Sequence, residues 1–347
     1  MHSKAQDVLI MLVNHMDYGG CQKIVYEILC GVFSDFSKVY LIANHGYYGE
    51  KLIDETNIDF VDRTSLSLTD TFKKIREIQR GKQRVILHTH NRKDLIFKYA
   101  ISRKNKHLHT FHSAYTDKNF LYFFLKPKHA ISISRTVSSY LDKYNIPNRI
   151  IYNGIDDIEK TTLKPQNSQT ILKYIGRTTR EKGFDDLLQS FVSFKQLFAE
   201  FRNLKMDVIG NGENLNSYKE YLRKTDFIND VRFLGFLENP WKEVSQEDLV
   251  VIPSYFEGFC LVAAEAGSLG IPVIGNDIKA LREVLDFIPE ENFFDVRDKT
   301  SIYAGLKFFF KNKKSQQKLA YSHKSEVKSR FSKEKMILQY QNVYENL

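Results

Sequence analysis

Short apolar runs alternate with amphipathic stretches along the chain. The runs have the length and the β-branched content of buried strands, and the stretches between them place apolar residues at helical spacing. Strands are predicted over residues 8–13, 39–43, 85–88, 107–111, 129–133, 149–151, 171–175, 205–209, 231–234, 249–252 and 272–274. Helices are predicted, among others, over residues 22–31, 69–80, 135–144, 184–201 and 215–223. This alternation predicts an α/β fold, in which helices cover both faces of parallel sheets.

The length of 347 residues and the number of predicted strands favour two domains. Eleven strands would be unusual in one open sheet, so two sheets are predicted. Asn153-Gly154 is a turn signal, and the stretch from there to Thr170 is polar. We therefore predict a first domain over residues 1–155, a second over 156–330, and a helix over 331–347 that returns to the first domain.

Composition excludes several classes of protein. Hydrophobic residues make up 42% of the chain, which is enough for folded cores. No apolar run approaches the roughly 18 residues that span a bilayer, and the first run is interpreted as a buried strand rather than a signal peptide. The three cysteines are odd in number and match no metal-ligand spacing. A reducing, cytoplasmic location is therefore predicted.

Positive charge is concentrated in the first half of the chain. Residues 1–150 hold 23 Lys and Arg against 14 Asp and Glu, whereas the remainder holds 28 of each. The excess is densest over residues 73–106, and an aromatic, basic-ended segment follows at 120–128. This pattern predicts an anionic partner, for which a membrane surface, a nucleic acid and a phosphorylated substrate are the alternatives. A solvated basic face, with the aromatic segment buried as a helix, would explain it without any partner.

Two carboxylates eight positions apart form the sharpest motif. Glu257 lies in the loop that follows the strand 249–252, and Glu265 lies in the next helix among apolar neighbours. Ligands of open parallel sheets bind outside the carboxyl ends of the strands, where such loops lie. Carboxylates accept hydrogen bonds from adjacent sugar hydroxyls, and amides that open a helix suit phosphate oxygens. The alternative is a surface glutamate followed by a capping one.

A second motif runs from Gly176 to Gly183, directly after the strand 171–175. It places Arg177 and Lys182 between a glycine turn and a helix, which is a suitable layout for binding a diphosphate. An ordinary strand-to-helix turn with exposed basic residues is the alternative. Tyr18-Gly19-Gly20 follows the first strand and offers a weaker anion-binding signal at a helix N-terminus.

Four histidines lie near the ends of two predicted strands. His88 and His90 belong to one strand end, and His109 and His112 belong to another. Four such histidines could suggest zinc, but no cysteine or carboxylate completes a ligand set, so no metal is predicted. His112 follows its strand directly and is the better candidate for contact with a substrate, with a packed strand-end histidine as the alternative.

These motifs together resemble the retaining glycosyltransferases of family 4. The resemblance rests on the Glu257–Glu265 spacing, the 176–183 run, and the segments 152–156, 208–213 and 233–235. It is strong from about residue 150 to 285 and looser before that. It implies the GT-B fold, with two Rossmann-like domains facing across a cleft, the first binding the acceptor and the second the nucleotide sugar.

The resemblance also implies roles for single residues. Arg177 and Lys182 would bind the donor diphosphate, Glu257 would contact the sugar hydroxyls, and Glu265 would hold the ribose. The backbone amides near the sugar would be those of Gly258, Phe259 and Cys260.

In the first domain, the Gly20 amide would meet the phosphate and His112 would touch the sugar near its reacting carbon. Cys260 departs from the family, where glycine is frequent, and this departure leaves the identity of the donor sugar open.

The predicted function is transfer of a hexose or N-acetylhexosamine, with retention, from a UDP-sugar rather than a GDP-sugar to a glycan or lipid-linked acceptor. The context predicted is cell-surface polysaccharide synthesis, with the enzyme peripheral on the inner face of the membrane. No cofactor, no essential metal and no nucleic-acid partner are expected. The alternatives are a sugar-nucleotide epimerase or hydrolase on the same scaffold, a nucleic-acid-binding protein that uses the basic half, and a catalytically inactive binding subunit.

Overall fold

The computed structural model describes residues 7–81, 84–114, 124–157, 163–164 and 169–347. The chain divides into two compact units. The first comprises Met1–Gly154 together with Ser332–Leu347, and the second comprises Ile155–Phe331. Each unit contains one parallel sheet, and the α/β fold class predicted from the sequence is confirmed.

The first unit is built on a seven-stranded sheet with the order β3-β2-β1-β4-β5-β6-β7. All of its paired strands are parallel. The strands are β1 (Asp7–His15), β2 (Lys38–Asn44), β3 (Asp59–Asp62), β4 (Arg84–Thr89), β5 (Lys106–Phe111), β6 (His129–Ser132) and β7 (Arg149–Ile150). The order reverses between β1 and β4, and ligands of doubly wound folds bind at the carboxyl ends of strands at such a reversal.

The helices described in the first unit are α1 (Gly20–Val32), α2 (Tyr47–Glu55), α3 (Leu68–Ile78), α4 (Arg135–Asp142) and, from the end of the chain, α11 (Lys333–Asn346). Serine side chains cap three of them: Ser67, Ser134 and Ser332 each accept a hydrogen bond from the backbone NH three residues later. Such a cap stabilises a helix by about 1 kcal/mol. The capping serines therefore fix where α3, α4 and α11 begin.

Helix α11 contributes to the core of the first unit. Its Tyr340 and Tyr344 are buried. The Tyr344 hydroxyl lies 2.7 Å from Nδ1 of His88, and the Tyr340 hydroxyl lies 3.2 Å from Oγ1 of Thr110. Because buried polar groups need partners, the last helix satisfies groups on β4 and β5.

The second unit has a six-stranded sheet with the order β10-β9-β8-β11-β12-β13. Its paired strands are also all parallel, and the order reverses between β8 and β11. The strands are β8 (Ile171–Ile175), β9 (Lys205–Ile209), β10 (Val231–Gly235), β11 (Leu249–Ile252), β12 (Val273–Asn276) and β13 (Phe293–Phe294). This reversal places the loops after β8 and β11 side by side at one edge of the sheet.

The helices described in the second unit are α5 (Phe184–Leu197), α6 (Leu215–Lys224), α7 (Leu261–Leu269), α8 (Lys279–Val284), α9 (Lys299–Lys311) and α10 (Lys313–Arg330). Helix α5 buries Phe184, Phe191 and Phe194 on its inner face. Each fully buried aromatic side chain of this kind contributes about 2–3 kcal/mol to folding, so α5 is firmly anchored on the sheet.

Two short strands are absent from the eleven strands predicted from the sequence. β3 and β13 lie at sheet edges, and they are four and two residues long. In the β3 sequence Asp-Phe-Val-Asp, an aspartate stands on each side of two apolar residues, so β3 lacks the longer apolar run that identifies a buried strand. Among the described residues, no helix has the length and apolarity needed to cross a membrane.

Candidate active site

In the second unit, glycines bring the loops after β8 and β9 into close contact. Gly176 follows β8 with φ of 153°, and Gly210 follows β9 with φ of 139°. A Cβ on Gly210 would lie 1.9 Å from the carbonyl oxygen of Gly176. The Thr178 amide donates to the Asn211 carbonyl at 3.0 Å, which ties the two loops together. Only glycine fits at position 210, because any side chain would collide with the neighbouring backbone.

Gly183 sets the position of the basic turn that follows β8. It has a left-handed φ of 65°, and a Cβ there would lie 2.0 Å from the carbonyl oxygen of Pro253. The turn is held from its other side by the Tyr255 amide, which donates to the Glu181 carbonyl at 3.0 Å. The loops after β8 and β11 therefore contact each other at the reversal of strand order.

The contact between these loops brings Lys182 and Glu257 together. Lys182 Nζ lies 2.6 Å from Oε1 of Glu257, and the Ser254 hydroxyl donates to the same oxygen at 2.8 Å. The two side chains are 25% and 15% exposed, so the pair can be reached from solvent. A cation and an oriented carboxylate at one place can bind a phosphate oxygen and a sugar hydroxyl respectively.

Arg177, the other predicted diphosphate ligand, lies on the same loop but outside this pair. Its guanidinium contacts Glu181 at 2.8 Å, and both side chains are about 60% exposed. An exposed pair of this kind contributes little to stability, so Arg177 can exchange Glu181 for an anionic ligand at small cost.

Helix α7 begins at a strained residue. Cys260 precedes the helix with φ of 71°, a left-handed conformation that strongly favours glycine. Its side chain is buried, and burial raises the pKa of the thiol, so the thiolate is absent at neutral pH. This φ gives a physical reason for the glycine that is frequent in the resembled family at this position.

The two residues before Cys260 differ in what they offer a ligand. Phe259 is buried and packs edge-on against Phe331, with ring centroids 5.0 Å apart. Its side chain therefore belongs to the core, which leaves only its backbone for a ligand. Gly258 has no side chain, and its backbone can be approached closely.

Glu265 lies on the buried face of α7. It is 7% exposed, and its Oε2 accepts a hydrogen bond from Nε1 of Trp241 at 3.1 Å. Trp241, the sole tryptophan, was not singled out in the sequence, and neither was Ser254. Both act by holding a predicted carboxylate in place, and no local pattern in the sequence identifies such partners.

In the first unit, Gly20 is the first residue of α1 and is exposed. It follows Gly19, whose φ is 156°. Together they carry the chain from β1 into α1, and the first backbone amides of a helix have no acceptor within it. This is the placement that the sequence predicted for the glycine pair.

His112 follows β5 and stacks on His90, with ring centroids 5.1 Å apart. Nε2 of His112 and Nδ1 of His90 are 2.8 Å apart, and Nε2 of His90 faces Sδ of Met11 at 2.8 Å. A thioether only accepts, so His90 carries its proton on Nε2 and accepts through Nδ1 from His112. This arrangement leaves Nδ1 of His112 as an acceptor for a hydroxyl.

Burial keeps the clustered histidines neutral. It lowers the pKa of His112 to about 4 and that of His107 to about 3. The pKa values of His88, His90 and His109 lie well below their usual range for the same reason. Within the part of the chain that the structure describes, no group of three His, Cys, Asp or Glu is placed to hold a metal ion.

The basic N-terminal region is partly neutralised by local pairs. Lys73 pairs with Asp70, Lys74 with Glu77, and Arg84 with Asp7. In the aromatic segment at 120–128, Phe124 is 74% exposed. Lys82 and residues 120–123 lie outside the described residues, so the predicted aromatic surface is described only in part.

Comparison with known proteins assigns the chain to a family. Residues 154–326 match the family described as glycosyl transferases group 1, and residues 39–158 match glycosyltransferase family 4. The chain belongs to glycosyltransferase family 4. The resemblance inferred from the motifs is confirmed, and the match begins well before residue 150, where the motifs were weak.

Among curated proteins, the O-antigen biosynthesis glycosyltransferase WclY of Escherichia coli is 28% identical over 207 residues, which are 57% of this chain and 55% of WclY. The N-acetyl-alpha-D-glucosaminyl L-malate synthase of Bacillus anthracis is 25% identical over 213 residues, 59% of this chain and 55% of that protein. The chain thus spans about half the length of the curated relatives that it matches.

Solved glycosyltransferase structures share the fold over nearly the whole chain. HepE of Anabaena in complex with UDP and glucose superposes with a TM-score of 0.80 at 14% identity, covering 98% of this chain and 99% of that one. A glycosyltransferase from Rickettsia africae gives a TM-score of 0.81 at 17% identity, covering 98% of each chain. The fold is therefore the GT-B fold that the sequence predicted.

Proposed function

We propose that this chain is a retaining glycosyltransferase that uses a UDP-sugar and extends a glycan or lipid-linked acceptor in cell-surface polysaccharide synthesis. The observation that carries the proposal is the Lys182–Glu257 pair, held at 2.6 Å where the strand order of the second sheet reverses. The O-antigen function in the name of WclY and the UDP and glucose bound to HepE support this choice of pathway and donor.

The chemistry follows from the charges that the second unit presents. Glycosyl transfer proceeds through an oxocarbenium-like state, and negative charge grows on the departing diphosphate. Lys182 and Arg177, with the amides that open α7, would stabilise that charge without reorganising. Glu257 would orient the sugar through its hydroxyls, and Glu265 would bind the ribose hydroxyls.

Histidine 112 contributes differently because its imidazole is neutral. It cannot donate a proton to the leaving group as an imidazolium does. We assign Nδ1 of His112 to accept a hydrogen bond from a sugar hydroxyl. No side chain is assigned as a covalent nucleophile, and attack on the same face as the departing phosphate gives retention.

A nucleotide-sugar screen tests the proposal. A donor at 100 times its dissociation constant stabilises the protein by about 2.7 kcal/mol. For a unit of this size that corresponds to a rise in Tm of roughly 5–10 °C. UDP-glucose, UDP-galactose, UDP-N-acetylglucosamine and GDP-mannose are compared with the matching free nucleosides. Absence of stabilisation by every nucleotide sugar would remove the proposed function.

Turnover separates transfer from the alternative reactions on the same scaffold. UDP release that needs an acceptor supports transfer, and NMR of the product reports the configuration of the anomeric carbon. Sugar released or epimerised at the same rate without an acceptor would assign the chain to a hydrolase or epimerase. We expect full activity in EDTA, and activity that is abolished by EDTA and restored by manganese or zinc would contradict the metal-independent mechanism.

Peripheral binding to the cytoplasmic leaflet is also proposed, because the net positive charge lies in the first 150 residues. Each Lys or Arg near an anionic membrane adds about 1 kcal/mol of attraction. Sedimentation with phosphatidylglycerol vesicles that weakens with salt, and weakens further when lysines 73, 74, 104 and 106 become glutamate, is expected. Absence of binding at low salt would favour a soluble acceptor.

A further inference from the structure

Two tyrosine rings stack at the carboxyl ends of β1 and β2. Tyr18 lies in the loop after β1, and Tyr47 is the first residue of α2, directly after the loop that follows β2. Their ring centroids are 5.0 Å apart with an interplanar angle of 27°. Tyr18 is 44% exposed, so much of this stacked pair is open to solvent.

Backbone contacts, rather than a chance meeting of side chains, hold the two rings together. The Tyr48 amide donates to the Met16 carbonyl at 2.8 Å. A Cβ on Gly46 would lie 2.4 Å from the backbone nitrogen of Asp17, so the two loops can approach this closely only because residue 46 is glycine. The stacked rings are therefore a built part of the fold.

Tyr48 extends the aromatic cluster into the interior. Its ring packs edge-on against Tyr47 at 5.1 Å and in a tilted arrangement against Tyr26 at 5.4 Å. The hydroxyl of Tyr26 donates to Glu55, and Lys51 lies over the Tyr26 ring at 5.2 Å. The outer rings thus rest on Tyr48, which packs against the buried Tyr26, and this support limits the entropy lost when a ligand orders them.

The charge around the rings distinguishes between possible ligands. Helix α2 carries Glu50, Asp54 and Glu55 against the single cation Lys51, and Asp17 precedes Tyr18. An acidic surrounding repels anionic lipid headgroups, so these rings do not suit a membrane surface. It suits a neutral, hydroxylated ligand, because carboxylates accept hydrogen bonds from hydroxyls.

We propose that Tyr18, stacked on Tyr47, forms an aromatic platform on which a neutral pyranose ring of the acceptor glycan stacks. The face of an aromatic ring is electronegative and attracts the polarised C–H groups of a sugar face. The exposed Asp17, next to Tyr18 in the sequence, offers a carboxylate that can accept hydrogen bonds from sugar hydroxyls. This inference rests on the proposed function, since it names the ligand class of the acceptor.

Saturation-transfer NMR tests the platform directly. The probes are the methyl glycosides of glucose, galactose, mannose and N-acetylglucosamine, added to the full chain. We expect transfer to the C–H protons of at least one glycoside, an affinity about two- to tenfold weaker in Tyr18→Ala, and near-normal affinity in Tyr18→Phe, which keeps the ring. Tyr321→Ala is the matched control, because Tyr321 is 65% exposed on α10 in the other unit.

The outcomes separate this inference from the proposed function. Calorimetry with UDP on the unmodified protein tests the proposed function separately, and failure of UDP to bind counts against the proposed function alone. Equal glycoside binding by Tyr18→Ala and the unmodified protein, or no glycoside binding at all, overturns the platform.

Sedimentation with vesicles tests whether the rings bind a membrane instead. Loss of sedimentation with phosphatidylglycerol vesicles in Tyr18→Ala, with glycoside binding unchanged, would assign the rings to a lipid surface and overturn the platform. Should Tyr18→Ala fail to fold, Tyr18→Asn, which suits a loop, repeats the comparison.

Discussion

Replacing Glu257 by glutamine separates the effect of its charge from the effect of its shape. In the structure, Glu257 neutralises Lys182 at 2.6 Å and shares an oxygen with the Ser254 hydroxyl. Glutamine has nearly the same size and keeps an acceptor for Ser254, but it leaves the ammonium of Lys182 without its counter-charge. We therefore expect Glu257→Gln to bind free UDP more tightly than the unmodified protein while it transfers sugar more slowly.

The size of the gain follows from the exposure of the pair. At 2.6 Å the Coulomb attraction is about 1.6 kcal/mol with the dielectric constant of water, and larger with lower values. Exposed pairs contribute about 0.2–1 kcal/mol, and this pair is 25% and 15% exposed. Removing the Lys182–Glu257 attraction makes about 1 kcal/mol more available for UDP binding, which lowers the Kd of UDP roughly fivefold. Loss of one contact made in the transition state lowers kcat by about 10²–10³.

Calorimetry with UDP and measurement of UDP release at saturating donor give the two values. Glu181→Gln is the matched control: it breaks the Arg177–Glu181 pair, in which both side chains are about 60% exposed, and we expect less than a twofold change in the Kd of UDP. Weaker UDP binding by Glu257→Gln, or turnover within threefold of normal, would refute this account of the pair. Lys182→Met is the third variant. It should weaken UDP binding and leave uridine binding unchanged, because uridine has no diphosphate for Lys182 to bind.

Three further predictions follow from the same structure. If Glu265, which is held by Trp241, binds the ribose, Glu265→Gln should weaken UDP binding by about tenfold and 2′,3′-dideoxy-UDP binding much less. Calorimetry measures both affinities, and equal losses for the two ligands would show that Glu265 does not bind the ribose hydroxyls. Cys260→Gly should change the free energy of unfolding by less than about 1 kcal/mol, because relief of the left-handed φ offsets the lost side chain. Cys260→Val should lower the free energy of unfolding in urea by more than about 2 kcal/mol, because a β-branched residue disfavours that φ. Equal effects of the two variants would show that the conformation is not strained. The pKa values of His107 and His112 are lowered to about 3 and about 4, so below pH 6.5 the unfolded chain binds more protons than the folded one. The free energy of unfolding should therefore be constant from about pH 8 to 7 and fall by several kcal/mol between pH 6.5 and 4. A urea-unfolding free energy that stays flat between pH 6.5 and 4 would contradict the buried neutral cluster.

The fold was largely predictable because central parallel strands are continuous apolar runs. β1 and β11 are such runs, and both were found within about two residues of their bounds. Helix α2 and the 3-10 turn at Arg92–Tyr99 did not appear among the predicted helices. Their sequences mix charges with aromatic and aliphatic residues, and they contact distant parts of the chain, for example the Tyr48 amide with the Met16 carbonyl and Asp94 with Arg63, which local periodicity does not record.

The candidate site was predictable to the level of residue types and loops. Glycines and charges at strand ends indicated Lys182 and Glu257, and the structure brings them into contact. The pairing of Arg177 with Glu181 and the contact between His90 and His112 depend on side-chain directions. Roles for these residues remain predictions, since only ligand binding and turnover can assign them.

The position of α11 has a consequence for synthesis on the ribosome. Residues 155–331 are inserted between β7 and α11, and the Ile155 amide bonds to the Phe331 carbonyl at 2.8 Å where the chain enters and leaves the second unit. At 5–20 residues per second, about 10–35 s pass between emergence of β7 and of α11. During that interval His88 and Thr110 lack the hydroxyls of Tyr344 and Tyr340, so this part of the core of the first unit can be completed only after the second unit has been synthesised.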